Sequence, residues 1–422
     1  MESTAIIGTG IAGLGCARLL HHARELSLFD RNGHTGGHAN TIEVGNGLPV
    51  DTGFMVYNEV TYPELTRLFA ELEVSTYPTS MSFSVQHLPT GLEYCGSGLR
   101  LLFAQRRNLL RPRFYRLLLA IDRFNREAVA ALASGSARGF SVSGWIERNR
   151  YGSDLLEYFL LPMSAAVWSA PFGEMLSFPA ETLLRFFHNH GFLGLHKQHQ
   201  WRSVTGGSRA YVAALTRPFG SRIHRDKRAV SVRRGDSQVL VRFADGDAQR
   251  FDEVVLACHA DEALALLEDR TAEEQRLLSK FRYARNLATV HTDRRVMPRT
   301  RRAWASWNYR VEGAHGGLET ATGSTVYWMN SLQRLETDQN YFISINGEAS
   351  IDPSSVLRTI PYTHPLFSAA AIAVQPELPR LNEEGPVYFC GSYFRYGFHE
   401  DALVSGMNVA NAVLRREIQD AA

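Results

Sequence analysis

The first forty residues carry the pattern that most constrains the fold of this chain. A buried strand is predicted at Thr4-Ala5-Ile6-Ile7, and a glycine-rich turn and a helix over Leu14 to Arg24 follow it. A second strand over 25–29 ends at an acid. Glycines let the backbone approach a pyrophosphate, the helix N-terminus supplies N–H donors, and the acid takes a ribose hydroxyl. The pattern predicts a Rossmann-like α/β domain that holds a dinucleotide through Gly8, Gly10, Ile11, Ala12, Gly13 and Asp30.

A second glycine pair distinguishes between the two dinucleotides that share this opening. Gly36-Gly37 follows the acid after a short polar loop. Glycines at that place let another loop lie close to the same ligand. The pair therefore favours FAD over NAD, and it adds further predicted cofactor contacts at Arg31, Gly36, Gly37 and His38.

Length and composition indicate the number of domains, the class of partner and the cellular compartment. A chain of 422 residues exceeds the usual size of one core, so two domains are expected. A net charge of +2 gives no reason to expect a nucleic-acid partner. The four cysteines are scattered, which fits a reducing compartment. With a strand beginning by residue 4 and no long apolar run, the protein is expected to be cytoplasmic, with peripheral contact to the inner membrane left open.

The alternation of strand-rich and helical segments predicts a discontinuous arrangement. An FAD-binding domain is predicted over 1–75, 203–260 and 381–422, and a substrate domain of mixed sheet plus helices over 76–202 and 261–380, with 98–195 largely helical. Residues 50–56 are predicted as one buried strand that returns to the cofactor. Gly53 and Phe54 on this strand, and Val230 in a predicted hairpin, are expected to contact the cofactor.

The end of the chain repeats the logic of its beginning. An apolar strand over 387–391 ends in glycine, a loop follows, and a helix is predicted to start near Ala402. A helix N-terminus can stabilise negative charge on a reduced flavin ring. The segment predicts cofactor contacts at Gly391, Ser392, His399 and Ala402. The alternative is an ordinary C-terminal helix with Glu400 or Asp401 as its cap.

With both ends placed, the chain resembles the flavin-containing amine oxidase superfamily. That family joins a GxGxxG turn, an acid, a GG doublet and a C-terminal helix motif. The segments 50–59, 303–309, 326–333 and 397–401 are similar to a bacterial group of FAD-dependent oxidoreductases. Members of that group are associated with cyclopropane-fatty-acyl-phospholipid synthase-like methyltransferases. The resemblance implies FAD, an interleaved fold of the glutathione-reductase/amine-oxidase type, a methyltransferase partner, and desaturation, dehydrogenation or isomerisation of unsaturated or methylated acyl chains.

The chain also departs from the amine oxidases proper. His38 stands where they commonly carry arginine, and no lysine occurs between residues 281 and 422. The lysine that holds a water near the flavin in many of them therefore has no counterpart. These departures make an amine or amino-acid oxidase that acts on a soluble substrate the less favoured alternative. A flavin-bound accessory protein of a lipid methyltransferase is another.

The candidate substrate residues are aromatic, with a few polar groups among them. Trp304, Trp307 and Tyr327 are predicted to line the pocket beside the flavin. One of His399, Glu400 and Tyr57 is predicted to move a proton while the flavin takes a hydride.

Two further features of the sequence leave alternatives open. Four histidines fall at 188, 190, 196 and 199, but no carboxylate or cysteine lies among them. A pocket wall or a surface cluster is therefore favoured over a metal site. The arginine-rich amphipathic stretch 99–126 is either a helical lid with a solvated face or a membrane-surface helix attracted to anionic lipids.

Overall fold

The computed structural model describes residues 1–194, 199–313, 317 and 320–420. Its strands, in chain order, are β1 Ser3–Ile7, β2 Glu25–Phe29, β3 Thr41–Val44, β4 Leu48–Asp51, β5 Tyr57–Asn58, β6 Thr76–Thr79, β7 Phe83–His87, β8 Leu92–Cys95, β9 Trp201–Val204, β10 Ile223–His224, β11 Ala229–Arg234, β12 Val239–Phe243, β13 Ala248–Phe251, β14 Glu253–Leu256, β15 Arg282–His291, β16 Trp307–Gly313, β17 Thr322–Trp328, β18 Phe342–Ile345, β19 Val356–Leu366 and β20 Val387–Phe389.

Its α-helices are α1 Ile11–Leu20, α2 Pro63–Glu71, α3 Leu99–Leu102, α4 Pro112–Ser134, α5 Val142–Arg148, α6 Ser153–Leu155, α7 Leu161–Trp168, α8 Phe172–Ser177, α9 Ala180–Asn189, α10 Arg209–Thr216, α11 Ala260–Leu266, α12 Ala272–Leu278, α13 Met329–Leu332, α14 Ala369–Val374 and α15 His399–Asp420. None of these described helices is long and apolar enough to span a membrane.

A parallel sheet brings together the two ends of the chain. Its strands lie in the order β10-β2-β1-β14-β20, and β1 pairs with β2 on one side and β14 on the other. The central strands are buried apolar runs, as expected for a parallel sheet covered on both faces. Their carboxyl ends therefore meet at one edge, where α1 begins. The predicted α/β class is confirmed.

A second, mixed sheet faces the same edge. Its seven strands lie in the order β19-β15-β18-β17-β16-β7-β8, all antiparallel except for the pair β16 and β7. The helices α3 to α9 occupy most of the stretch predicted to be helical. Their buried side chains, such as Phe124, Trp145 and Phe187, share one apolar core with this sheet. The boundaries assigned to the two domains stay a prediction.

One predicted strand is wrong in its extent. Residues 50–56 do not form one strand, because β4 ends at Asp51. The Asp51 carboxylate is held by the Ser208 amide, the Ser208 hydroxyl and the Gln333 amide. Beyond it the backbone pairs with the GG loop, since the Phe54 N–H donates to the His38 carbonyl at 2.7 Å. The segment thus reaches the cofactor region as a loop alongside residues 38–40.

Candidate functional site

A cavity of about 1600 Å³ lies at the edge where the strands of the parallel sheet end. Its lining comes from the β1–α1 turn, the GG loop, the loop after β4, the start of β11, strand β19 and the segment that begins α15. The chain ends and its middle thus contribute to one site. Each part of that lining is fixed by local contacts.

Three glycines have different tasks in the β1–α1 turn. A side chain at Gly8, where φ is +111°, would overlap the Ala257 carbonyl, and one at Gly13 would overlap the Gly8 carbonyl. These two glycines allow α1 to pack closely on the sheet, and Gly13 itself does not line the cavity. A Cβ on Gly10 would meet no atom within 4 Å. Gly10 therefore offers open backbone to a ligand at the N-terminus of α1.

The acid after β2 is held in place by the same turn. Asp30 accepts hydrogen bonds from the Thr9 amide at 2.9 Å and the Thr9 hydroxyl at 2.6 Å. The Lys227 amide donates to the Asp30 carbonyl at 2.8 Å, which brings the segment leading to Val230 alongside. Asp30, Arg31 and Val230 all line the cavity. A fixed carboxylate beside an open glycine turn is the arrangement that binds a ribose next to a pyrophosphate.

The GG loop lies against the first turn. The Gly36 amide donates to the Thr9 carbonyl at 2.9 Å, and Gly37 has a φ of +61° that favours glycine. The ring of His38 lies 4.9 Å from that of Tyr362, and its Nε2 is buried without a hydrogen-bond partner in the described structure. Burial holds the pKa of His38 well below its usual range. His38 is therefore neutral, with an unused polar atom at the cavity.

The closing segment, residues 391–402, reaches the cavity through His399 and Ala402. The His399 ring stacks on Phe54 at 3.9 Å, and its Nε2 lies 2.6 Å from the Tyr211 hydroxyl. Burial lowers the pKa of His399 to about 3, so the imidazole is neutral. Gly391 and Ser392 also line the cavity. The helix α15 begins at His399, earlier than predicted, and its N-terminus faces the cavity.

The two cofactor helices approach each other unusually closely. A Cβ on Gly406 of α15 would overlap the Ala12 carbonyl of α1. A Cβ on Gly15 of α1 would lie 2.6 Å from the Leu403 side chain. The absence of side chains at these positions allows the N-termini of both helices to face one cavity, and both carry the positive end of a helix dipole.

The structure places several predicted site residues away from the cavity. Glu400 accepts hydrogen bonds from the Glu64 and Leu65 amides at 2.8 and 2.9 Å, so it caps α2. Tyr57 is buried, and its hydroxyl donates to Thr76 at 3.2 Å. Neither side chain is in the cavity lining, and a catalytic role for either has no support in the geometry.

Trp304 also lies away from the cavity, because it precedes β16 and packs on the other face of the sheet. It packs with Val326 and Phe342, and its Nε1 donates to the Pro298 carbonyl at 2.7 Å. Successive strand residues face opposite sides of a sheet, so Tyr327 points the other way. Tyr327 lies directly opposite Trp307 across the strand pair β16–β17, and both line the cavity.

Beyond the predicted cofactor contacts the cavity continues into a region that we call the apolar branch. Its side chains come from α7, α9, β9, β16 and β17 and from nearby loops, including the one that leads into α2. They are Tyr62, Met81, Val167, Trp168, Phe186, His190, Phe192, Trp201, Trp307, Tyr327 and Phe398. Most of these residues were not predicted, because their distance in sequence hides their proximity. The density of histidines near residue 190 was the one available signal.

The histidine-rich segment does not act as one group. His188 is exposed, His190 lines the apolar branch, and His199 contacts the Asn189 carbonyl at 2.8 Å. His196 lies outside the described residues. Within the described residues, no three His, Cys, Asp or Glu side chains are grouped so that they would hold a metal ion.

The residues at the sheet edge fit FAD. Gly10 leaves open backbone at a helix N-terminus, Asp30 presents a fixed carboxylate, and the buried Nε2 of His38 has no partner within the described structure. Such groups match the phosphate, ribose and polar oxygens of a dinucleotide. A fold and a cavity of this kind define the class of FAD-dependent oxidoreductases.

The particular family follows from the sequence. The chain belongs to the flavin-containing amine oxidoreductase family, since the model of that family matches residues 11–341. No curated protein matches the sequence.

Solved structures share the architecture across the whole chain. Putrescine oxidase bound to putrescine is 12% identical, with 98% of this chain and 99% of that chain covered and a TM-score of 0.70. Cyclohexylamine oxidase from Brevibacterium oxydans is 14% identical, with 98% and 99% covered and a TM-score of 0.70. A CLA-producing fatty acid isomerase from P. acnes is 14% identical, with 98% of both chains covered and a TM-score of 0.63. These similarities confirm the predicted amine-oxidase-type fold.

Proposed function

We infer that this flavoprotein acts on a lipid acyl chain, by desaturation, dehydrogenation or isomerisation of an unsaturated or methylated fatty acyl group. The observation that carries the proposal is the apolar branch, which is lined by aromatic and aliphatic side chains with a single histidine among them. A site of this composition suits a long hydrocarbon. Bound FAD supplies a hydride acceptor, and the chain's own residues align the acyl group and exclude water.

The distribution of charge in the cavity supports an acyl chain over an amine. The charged lining residues come from other segments, namely Asp30, Arg31, Glu43, Arg209, Lys227, Arg228, Glu262, Arg285 and Arg358. An ammonium ion in the apolar branch would be buried without a carboxylate partner, which is costly. A hydrocarbon meets no such cost. The fatty acid isomerase with the same fold is a precedent for a lipid substrate in this architecture.

A surface near α4 supports access from a membrane. Leu109, Leu110, Tyr115 and Leu119 are exposed large apolar side chains, and Leu110 is 88% exposed. Arginines lie among them in the sequence, and Arg100, Arg106 and Arg111 form no salt bridge with any described residue. Apolar side chains among unpaired cations match an anionic bilayer surface. The proposed occupant of this surface is therefore an anionic lipid bilayer, and the acyl substrate would come from it.

A second candidate function is oxidation of an amine. The family and the putrescine and cyclohexylamine oxidases with the same fold favour it. The rings of Trp307 and Tyr327 are nearly parallel at 4°, with centroids 6.5 Å apart, and aromatic faces attract cations. Lys227 lies at the cofactor end of the cavity, where it forms ion pairs with Asp245 and Asp247. Its ammonium group therefore does not enter the apolar branch.

The test compares the two substrate classes on the purified, FAD-loaded protein. Under anaerobic conditions, vesicles that contain unsaturated and methylated phospholipids should bleach the flavin absorbance, and mass spectrometry should find altered acyl chains. Putrescine and cyclohexylamine serve as the amine probes. Bleaching by the amines alone would overturn the proposal and establish the second candidate. A FAD-free variant that still supports a lipid methyltransferase in cells would favour the accessory role.

A further inference from the structure

His190 is the polar exception in the apolar branch. It follows directly after α9 and is 7% exposed. Its ring stacks on Phe186 at 3.9 Å and lies 6.1 Å from the ring of Phe398. Phe398 directly precedes His399, which begins the helix predicted to face the flavin. The imidazole is therefore one ring away from the segment at the cofactor.

The hydrogen bonds of His190 determine which nitrogen carries the proton. Its Nδ1 lies 3.0 Å from the Phe186 carbonyl oxygen, which can only accept, so Nδ1 is protonated. Burial, with a smaller contribution from the nearby His199, lowers the pKa of His190 to about 4, so the ring is neutral at pH 7. Nε2 then carries a lone pair, makes no hydrogen bond to any of the described residues, and is not among the fully buried side-chain atoms. The protein itself therefore leaves the lone pair of Nε2 without a donor.

The other polar groups near the apolar branch are poor proton acceptors. Burial raises the pKa values of Tyr62 and Tyr327, so both phenols stay protonated. The Nε2 of His399 is engaged by Tyr211 at 2.6 Å, and Glu400 caps α2. Aromatic side chains contact His190 on the side of α9, β9 and the closing segment. Among these groups only His190 has a free lone pair.

We propose that Nε2 of His190 is the base that takes the proton when an acyl chain is dehydrogenated in the apolar branch. The inference rests on the proposed lipid function. Loss of a hydride to the flavin from an allylic carbon oxidises the acyl chain by two electrons. The adjacent carbon then loses a proton to Nε2, and the electron pair of that C–H bond becomes the new carbon–carbon π bond. The sum is a conjugated diene, a reduced flavin and a protonated His190.

The low pKa of His190 favours the return of the base to its neutral form after the proton transfer. The imidazolium that forms in the apolar branch is destabilised by burial, so it gives up its proton readily and returns to the neutral base. A strong base is not needed, because an allylic cation is a far stronger acid than an ordinary hydrocarbon. Positioning of an acceptor for a proton typically contributes about 10²- to 10⁴-fold to a rate.

The first test uses the FAD-loaded protein with vesicles of monounsaturated phosphatidylglycerol. The variant His190→Gln should retain its flavin and lose diene formation by about 100-fold or more. The matched control is His188→Gln, which changes an exposed histidine in the last turn of α9 and should leave the rate unchanged. Diene formation by His190→Gln at the rate of the control would overturn the inference and leave the lipid function standing. Absence of any acyl product with the unmodified protein would overturn both.

The second test does not depend on turnover. In protein labelled with ¹⁵N-histidine, NMR should show His190 as the neutral Nδ1–H tautomer near pH 7, with a pKa about two units below that of a surface histidine. The resonance is assigned by its loss in His190→Gln and, independently, in His190→Asn. A charged ring at pH 7, or a neutral ring with the proton on Nε2, would leave no free lone pair and would overturn the inference.

Discussion

Neutral imidazoles are characteristic of this cavity at the scale of single residues. Burial lowers the pKa values of His38, His259 and His364, as it does for the two histidines at the apolar branch and the closing helix. The amide of Asn286 lies 2.7 Å from Nδ1 of His364, and since that amide group can only donate, Nδ1 accepts. These rings therefore contribute hydrogen-bonding atoms rather than positive charge. Because these histidines stay neutral near pH 7, the net charge of the cavity does not change with small changes in pH.

The lowered pKa values predict how stability depends on pH. Burial lowers the pKa of His364 to about 4, and its unfolded value is near 6.5, so the unfolded chain binds a proton more readily between those values. The contribution of His364 to the free energy of unfolding is therefore fully present above about pH 6.5, and it is lost as the pH falls towards 4. We expect the free energy of unfolding of the FAD-free protein to fall on acidification from about pH 7 to about pH 4.5, by up to about 1.4 kcal/mol per pH unit for this histidine.

Chemical denaturation at a series of pH values measures this effect. His364→Gln should reduce the slope of unfolding free energy against pH, because glutamine does not titrate. His188→Gln is the matched control, since His188 is exposed and its replacement should leave the slope unchanged. Equal slopes for His364→Gln and the unmodified protein would contradict the assignment of a neutral ring at this position.

At the scale of elements, the contact between α1 and α15 determines whether the cofactor site forms. Gly406→Ala would drive a methyl group into the Ala12 carbonyl, and overpacking of this kind typically costs about 1–3 kcal/mol or more. We expect a lower free energy of unfolding and a lower FAD content per chain, measured by denaturation and by absorbance. Gly220→Ala is the control, because a Cβ there meets no atom within 4 Å. Normal FAD content in Gly406→Ala would contradict the close approach.

The same elements show what the sequence can predict. The β1–α1 turn, Asp30 and the GG pair are local patterns, so their place at the cavity followed from spacing alone. Glu400 was misjudged because its partners, the amides of α2, lie more than three hundred residues away. Trp304 was misjudged because the strand begins only at Trp307, and a pattern of aromatic residues does not tell which side of a sheet each faces.

The lining of the apolar branch had the weakest signal in the sequence. His190 stands in a cluster of histidines whose other members lie at the surface or outside the described residues. Only the packing of α9 against β9 and the closing segment separates it from them. Long-range packing of this kind is set by the complete fold, and spacing within one helix does not reveal it.

At the scale of the whole molecule, the proposed bilayer-binding surface can be tested by substitution. The combined change of Leu109, Leu110 and Leu119 to serine removes exposed apolar area beside the arginines of α3 and α4. We expect binding to phosphatidylglycerol vesicles to weaken about tenfold or more in co-sedimentation, with the flavin retained. Raising salt from about 0.1 M to about 0.5 M should weaken binding of the unmodified protein.

The control for this surface is Leu357→Ser, which changes a 51% exposed leucine on β19. It should bind vesicles as the unmodified protein does. Binding to neutral vesicles as strong as to anionic ones, or the same affinity for the triple variant and the control, would contradict a role for this surface in lipid access.

The close apposition of the first and last helices has a consequence for biosynthesis. While the polypeptide grows on the ribosome, α1 is made early, but the small-residue face that includes Ala12 and Gly15 has no covering partner until α15 emerges. Contacts between such distant segments form late, after a large loop has closed. A nascent chain therefore carries α1 without its partner α15 through almost all of its translation. Binding of FAD between the two helices must then follow release of the carboxyl-terminal segment.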